Sequence, residues 1–288
     1  MQNSPISTLM IDSRRFLVKR DDLINPYLAG NKYRKLYTLL KTPPKKLKKI
    51  ISYGGTQSNA MLAIAAMCKR KAWEFIYYSK PISETQKLSQ LGNYYRAISL
   101  GMRHIEVEYS LYRNFIASLR VSIDADTFII EQGGAVKEAK KGLDVLAQEI
   151  REENLDIKSL ATPSGTGTTA LFLALALPEH KVYTTPCVGD VRYLKTQMQA
   201  LHELPENLII LEPKKKYHFA KPYPEFYVMY KKLLDAGIEF DLLYSPAMWE
   251  ALLSQTKEEI LYIHSGGVSG NESMLQRYLA IDARKSNL

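Results

Sequence analysis

The chain has 288 residues, 46% of them hydrophobic, enough to bury one large or two medium cores. Its two cysteines, Cys68 and Cys187, are far apart, and its five histidines include no closely spaced pair. Reduced thiols rather than a disulfide framework are expected, and no structural metal. The formal charge of +9 is partly clustered, at Lys45-Lys46-Leu47-Lys48-Lys49 and Lys214-Lys215-Lys216, in a chain that also carries 30 acids. Such runs read either as nucleic-acid contacts or as solvated faces beside Pro43-Pro44 and Pro213; the latter is expected here, without a nucleic-acid partner. The first residues lack the basic-then-apolar order of a signal peptide, and the longest apolar run, Ala170 to Leu177, is too short to span a bilayer. A cytoplasmic protein with no membrane partner is expected.

In chain order, an extended apolar run, Phe16 to Val18, enters a polar turn, and a helix is predicted to start at or just after Lys32. Strand-like runs follow at Lys49–Tyr53, Phe75–Tyr78, His104–Val107, Thr127–Glu131, Ser159–Thr162, Lys181–Thr185, Leu208–Leu211, Phe240–Tyr244 and Leu261–His264. Helical patterns lie between most of them, including Asn59–Arg70, Thr85–Ser99, Lys137–Glu153, Thr168–Leu177 and Val191–Leu204. This alternation predicts an α/β fold with mostly parallel sheets and helices on both faces. The stretch between Pro43-Pro44 and Gly133-Gly134 reads as a smaller α/β unit, residues 43–137, inserted into a larger unit formed by residues 1–42 and 138–288.

Four loops carry side chains with chemical potential. The first is Gly30-Asn31-Lys32, with Lys35 one turn further along the same face. A lysine at a helix start loses its proton more easily, because the dipole disfavours a second positive charge there; an ordinary basic helix start has the same appearance. The second is Ser52-Tyr53-Gly54-Gly55-Thr56-Gln57-Ser58-Asn59, a strand, two glycines and a polar cluster before an alanine-rich helix. Free backbone N–H groups at such a junction favour an anion, here a carboxylate, and Ser58 or Asn59 would serve as an N-cap. The third is Ser164-Gly165-Thr166-Gly167-Thr168-Thr169. Its glycines let the backbone curl around a phosphate and its hydroxyls add donors, though no G-K-[ST] follows, so it is not a Walker loop. The fourth is His264-Ser265-Gly266-Gly267, at a strand end.

In this order the loops resemble those of the pyridoxal-phosphate enzymes of the tryptophan-synthase-β type, also called fold type II. Within them the chain is similar to the branch that holds 1-aminocyclopropane-1-carboxylate (ACC) deaminase and D-cysteine desulfhydrase. The resemblance covers most of the chain. It implies two open, twisted sheets with pyridoxal 5′-phosphate in the cleft between them, a small amino-acid substrate and a homodimer. It makes Lys32 the Schiff-base lysine and gives Lys35 a place beside the cofactor phosphate. It makes Gln57, Ser58 and Asn59 the substrate loop, with Asn59 beside the ring hydroxyl and Ser58 assisting proton transfer. Gly165, Thr166, Gly167, Thr168 and Thr169 become the phosphate cup, and Ser265 the neighbour of the pyridine nitrogen. Tyr244 is implied as a catalytic tyrosine. Tyr223, in Lys221-Pro222-Tyr223-Pro224, matches a second one, but both glycines that flank it in the branch are lost here; with 19 tyrosines in the chain, either ring also reads as packing.

The resemblance also bears on the reaction. Deaminases of the branch carry Tyr-Glu after a late strand and His-Leu-Gly-Gly after the last, whereas desulfhydrase-like members carry a hydroxyl residue at both points. This chain has Tyr244-Ser245 and His264-Ser265. A carboxylate at the pyridine nitrogen would hold it protonated and deepen the electron sink, and a serine would not. The expected activity is therefore a D-cysteine desulfhydrase-like β-elimination giving pyruvate, ammonia and sulfide, with ACC ring opening to 2-oxobutyrate as the alternative. A non-catalytic protein of the same fold, or a basic nucleic-acid-binding protein, is the alternative from another class.

Overall fold

The computed structural model describes residues 3–28, 30–119, 124–134 and 136–286. Two sheets organise them. The first strand, β1 (Ile6–Ile11), pairs antiparallel with β2 (Arg14–Lys19). The turn between them uses Asp12 and Ser13 at positive φ, which short polar side chains tolerate. Strands β3 (Lys49–Tyr53), β4 (Glu74–Ser79), β5 (Met102–Glu106) and β6 (Thr127–Ile130) form an all-parallel sheet in the order β5-β4-β3-β6. Strands β7 (Ser159–Ala161), β8 (Lys181–Thr184), β9 (Leu208–Ile210) and β10 (Leu261–Ile263) join the first two in a six-stranded sheet, β1-β2-β10-β7-β8-β9. Only the β1–β2 pair in it is antiparallel.

Parallel strands need crossover connections, and helices supply them, so apolar side chains are buried on both faces of each sheet. One core, around Ile50, Met61, Ile64, Phe75 and Tyr77, belongs to the four-stranded sheet. Two others flank the six-stranded sheet: one around Leu146, Leu160, Leu171 and Val182, the other around Phe16, Phe240, Trp249 and Tyr262. Among the described residues, no helix is long and apolar enough to cross a membrane.

Three segments depart from expectation. Phe240–Tyr244, buried over its first three residues and half-buried at Leu243 and Tyr244, is not a strand. Its amides are taken by side chains: Leu242 N–H donates to Asn271 Oδ1 (2.8 Å), and those of Leu243 and Tyr244 donate to Asp241 Oδ1 (3.0 and 2.6 Å). The expected helix Thr85–Ser99 is two, Glu84–Leu88 and Gly92–Ser99, because Gly92 takes φ +80° where a Cβ would sit 2.7 Å from Gln57 Oε1. The helix expected over Val191–Leu204 ends at Gln199.

The lysine helix, Gly30–Lys35, is held by charge. Arg34 is fully buried and forks onto two carboxylates: Asp21 (Nε to Oδ2 2.8 Å, Nη2 to Oδ1 2.7 Å) and Glu149 (both contacts 2.7 Å). Asp21 stands just after β2, and Glu149 lies on the helix Ala139–Glu152. That helix approaches closely because Gly142 lacks a Cβ, which would fall 1.9 Å from Arg34 O. Removing one partner of such a cluster leaves a buried charge uncompensated. Arg34→Ala is therefore expected to lower the unfolding free energy by about 3–5 kcal/mol in urea denaturation. Lys140→Ala, which breaks the exposed Lys140–Asp144 pair, should lower it by less than about 0.5 kcal/mol. A loss below about 1 kcal/mol in Arg34→Ala would contradict this account.

Candidate active site

A cleft of about 580 Å³ opens among the carboxyl ends of strands from both sheets. Open α/β sheets bind ligands at such ends. Its lining includes Lys32, Lys35, Gln57, Ser58, Asn59, Gly165, Thr166, Tyr244 and Ser265. All four loops singled out in the sequence therefore meet in one cavity.

The lysine helix begins at Gly30, ahead of the start expected from the sequence. Gly30 has φ +59°, and a Cβ there would lie 2.0 Å from Ser265 O. Asn31 N–H donates to that same carbonyl (3.2 Å), docking the lysine loop onto the serine loop. Lys32 Nζ donates to Asn31 Oδ1 (2.7 Å). Burial of the amine in the cleft lowers the Lys32 pKa to about 8, against an opposing pull from Asp241. Desolvation, rather than the helix dipole, is thus the main cause. Lys35 is buried too, donates to Gly133 O (3.1 Å), and is pushed well below the usual lysine range by burial and then by the charge of Lys32.

Ser58 is the N-cap of the helix Asn59–Lys71, its Oγ accepting from Ala60 N–H (3.2 Å) and Met61 N–H (3.4 Å). Gln57 is held from behind: its Oε1 accepts from Asn93 N–H (3.0 Å) and its backbone carbonyl from Asn93 Nδ2 (3.0 Å). That leaves its side-chain amide nitrogen as the donor end. Asn59 Oδ1 accepts from Asn93 Nδ2 (2.8 Å), and Gly267 gives the asparagine room, since a Cβ there would lie 2.3 Å from Asn59 Nδ2.

In the glycine-threonine loop, only Gly165 and Thr166 reach the cleft lining. Gly167, at φ +76°, packs toward Met198, and Thr168 and Thr169 are buried in the first turn of the helix Thr168–Ala176. Thr166 and Thr168 share a hydroxyl hydrogen bond (3.0 Å), whereas the buried Thr169 Oγ1 has no partner. Gly165 and Thr166 share the cavity with Lys32 and Lys35, a combination of hydroxyl, glycine backbone and amines that suits a bound phosphate.

Tyr244 packs on Phe219 (centroids 5.2 Å) and stands over Gly165, where a Cβ would be 3.2 Å from its Cε1. Burial, with Asp241 nearby, raises its pKa, so its proton is held firmly. Tyr223 is not brought to the cleft lining. It sits in an aromatic cluster with Tyr217 and Phe226, and its hydroxyl accepts from His218 N–H (2.9 Å). Ser245 is also turned away: it is fully buried and donates to Asp241 Oδ2 (2.7 Å). Asp241 is a site neighbour that the sequence reading passed over. Burial raises its pKa, and its three donors come from residues 243–245, so it is spent on the turn that leads into the helix Ser245–Gln255 and does not line the cleft. Among the described residues that line it are Lys32, Lys35 and Arg277 and no Asp or Glu.

No protein-family model matches the chain. A protein of Thermotoga maritima named "Putative 1-aminocyclopropane-1-carboxylate deaminase" is 26% identical over 283 residues, covering 88% of each chain. The crystal structure of an ACC deaminase homologue superposes with a TM-score of 0.77 at 21% identity, covering 97% of this chain and 94% of that one. A hydrogen sulfide-producing enzyme of Fusobacterium nucleatum superposes at 0.66 with 14% identity, covering 93% and 96%.

The lowered pKa yields a direct expectation. Competitive acylation of Lys32 in the ligand-free protein, read by peptide mass spectrometry, should rise with pH through a midpoint of about 8, because only the neutral amine reacts. A midpoint near the ~10.4 of an ordinary lysine would contradict the burial argument.

Proposed function

We propose that the chain belongs to the ACC deaminase and D-cysteine desulfhydrase branch of the fold type II pyridoxal-phosphate enzymes, which its relatives and fold support. The reading is a lyase that binds pyridoxal 5′-phosphate and eliminates the β-substituent of a small amino acid, with D-cysteine as the first candidate substrate. The observation that carries it is the cleft lining, which joins Lys32, Lys35 and Arg277 to the glycine curl at Gly165 and includes no acid among the described residues. These residues fit the cofactor. Lys32 is the amine that would hold it covalently, while Lys35, Gly165 and Thr166 would take its phosphate. Asn59 would face its ring hydroxyl, and Ser265 would stand beside its pyridine nitrogen.

Once bound, pyridoxal 5′-phosphate supplies the electron sink that makes the Cα–H bond of an amino acid labile. The chain's own residues do the rest. The loop Gly55–Asn59, at the start of a helix, receives the substrate carboxylate on backbone N–H groups and the Gln57 side chain. Lys32 is the base for the α-proton: there is no carboxylate in the cleft lining among the described residues, and at a pKa of about 8 roughly a tenth of the amine is neutral at about pH 7, far more than for an ordinary lysine. Tyr244 keeps its proton and stands as the acid for the departing sulfur. Cleavage of Cα–H and Cβ–S, followed by hydrolysis, gives pyruvate, ammonia and hydrogen sulfide.

ACC opening to 2-oxobutyrate is the second reading, favoured by the name of the Thermotoga maritima relative. It has no α-hydrogen for Lys32 to take, and its ring must open against a stronger barrier. The absence of a carboxylate from the cleft favours elimination, with the hydroxyl of Ser265 in place of an acid. The cofactor-loaded protein should release sulfide and pyruvate from D-cysteine, with little 2-oxobutyrate from ACC. Lys32→Ala should cut turnover by at least about a thousandfold. Robust 2-oxobutyrate formation from ACC would move the second reading to the front, and no product from either would sink the lyase assignment.

A further inference from the structure

Asn93 lies outside the cleft lining and is fully buried, yet it makes four hydrogen bonds aimed at the site. Its backbone N–H donates to Gln57 Oε1 (3.0 Å), and its Nδ2 donates to Gln57 O (3.0 Å) and to Asn59 Oδ1 (2.8 Å). Its Oδ1 accepts from Ser269 Oγ (3.0 Å), just beyond the serine-glycine loop. A backbone carbonyl can only accept, so the contact to Gln57 O fixes which end of the Asn93 amide is nitrogen. That in turn fixes Asn59, whose Oδ1 must face Asn93. Asn59 Nδ2, which makes no hydrogen bond among the described residues, is left as the end available to a ligand. The backbone N–H of Asn93 occupies the side-chain oxygen of Gln57, so that side chain too is left as a donor. Gly92, at φ +80°, is what lets Asn93 come this close.

We propose that Asn93 is a positioning residue: it sets the amide orientations of Gln57 and Asn59, so that both present N–H groups to the anionic oxygens of cofactor and substrate. This rests on the function proposed above. An unconstrained amide can rotate and offer its oxygen, which repels an anion; a locked amide cannot. Arg96 serves as a control. It lies on the same helix, Gly92–Ser99, and anchors it through Glu272 (2.8 Å) and Ser269 O (3.0 Å) without touching Gln57 or Asn59.

The test loads wild type, Asn93→Ala and Arg96→Ala with pyridoxal 5′-phosphate. It then records the visible band against pH and its response to D-alanine, which binds without a β-leaving group. The expected result is a retained band in Asn93→Ala, with its pH midpoint moved upward by about one unit, because withdrawing a donor from an anionic oxygen raises its proton affinity. The D-alanine Kd should rise by about tenfold or more. Arg96→Ala should lose thermal stability but keep both values. If Asn93→Ala matches wild type in midpoint and Kd, or if Arg96→Ala shifts them equally, the inference is overturned while the lyase reading stands. If wild type itself gains no band, the lyase reading falls and the inference with it. Asn93→Asp, which keeps the size and the Ser269 contact but withdraws both Nδ2 donations, is read in the same way should the alanine variant not fold.

Discussion

The buried guanidinium of Arg34 is the constraint on which the site depends. It sits two residues after Lys32 and one before Lys35, on a helix of only six residues. A helix that short is marginal by its own hydrogen bonds, so tertiary contacts must hold it. Arg34 supplies them by gripping Asp21 on one side and Glu149 on the other. Both lysines project from this clamped turn into a cavity that would otherwise favour expelling two like charges. The desolvation that lowers their pKa values is thereby held in place by a charge cluster on the far side of the same helix.

The cleft is built by mutual support among its loops. The lysine loop docks on the serine loop through Ser265 O, Tyr244 leans on Gly165, and Asn59 fits over Gly267. Glycine appears wherever one backbone approaches another loop closely, as at Gly30 and Gly267, both at positive φ. The result is a pocket that gathers Lys32, Lys35 and Arg277 and, among the described residues, no Asp or Glu. Such a pocket is costly when empty and favourable when an anionic cofactor and a carboxylate fill it.

Much of this was legible in the sequence, because short glycine-rich loops at strand–helix junctions carry their chemistry in a few consecutive residues. The parallel sheets followed from strand–helix alternation. What the sequence concealed depends on partners distant along the chain. Phe240–Tyr244 has the apolar character of a strand, but Asp241 and Asn271 take its amides, and no neighbouring strand does. Ser245 reads as a hydroxyl at the site, yet Asp241 four residues earlier turns it away. Tyr223 matches a family position, but the aromatic neighbours Tyr217 and Phe226 draw it into their own cluster. Asn93 gave no signal, since a lone asparagine in a helical stretch says nothing of the loop it will meet.

The central claim is that Lys32 is the amine around which these loops are arranged. The most direct test is borohydride reduction of the protein mixed with pyridoxal 5′-phosphate, followed by peptide mapping of the modified lysine. The account predicts a single dominant adduct on Lys32, with Lys35 unmodified. Adducts scattered over the exposed lysines, or concentrated on Lys35, would contradict it.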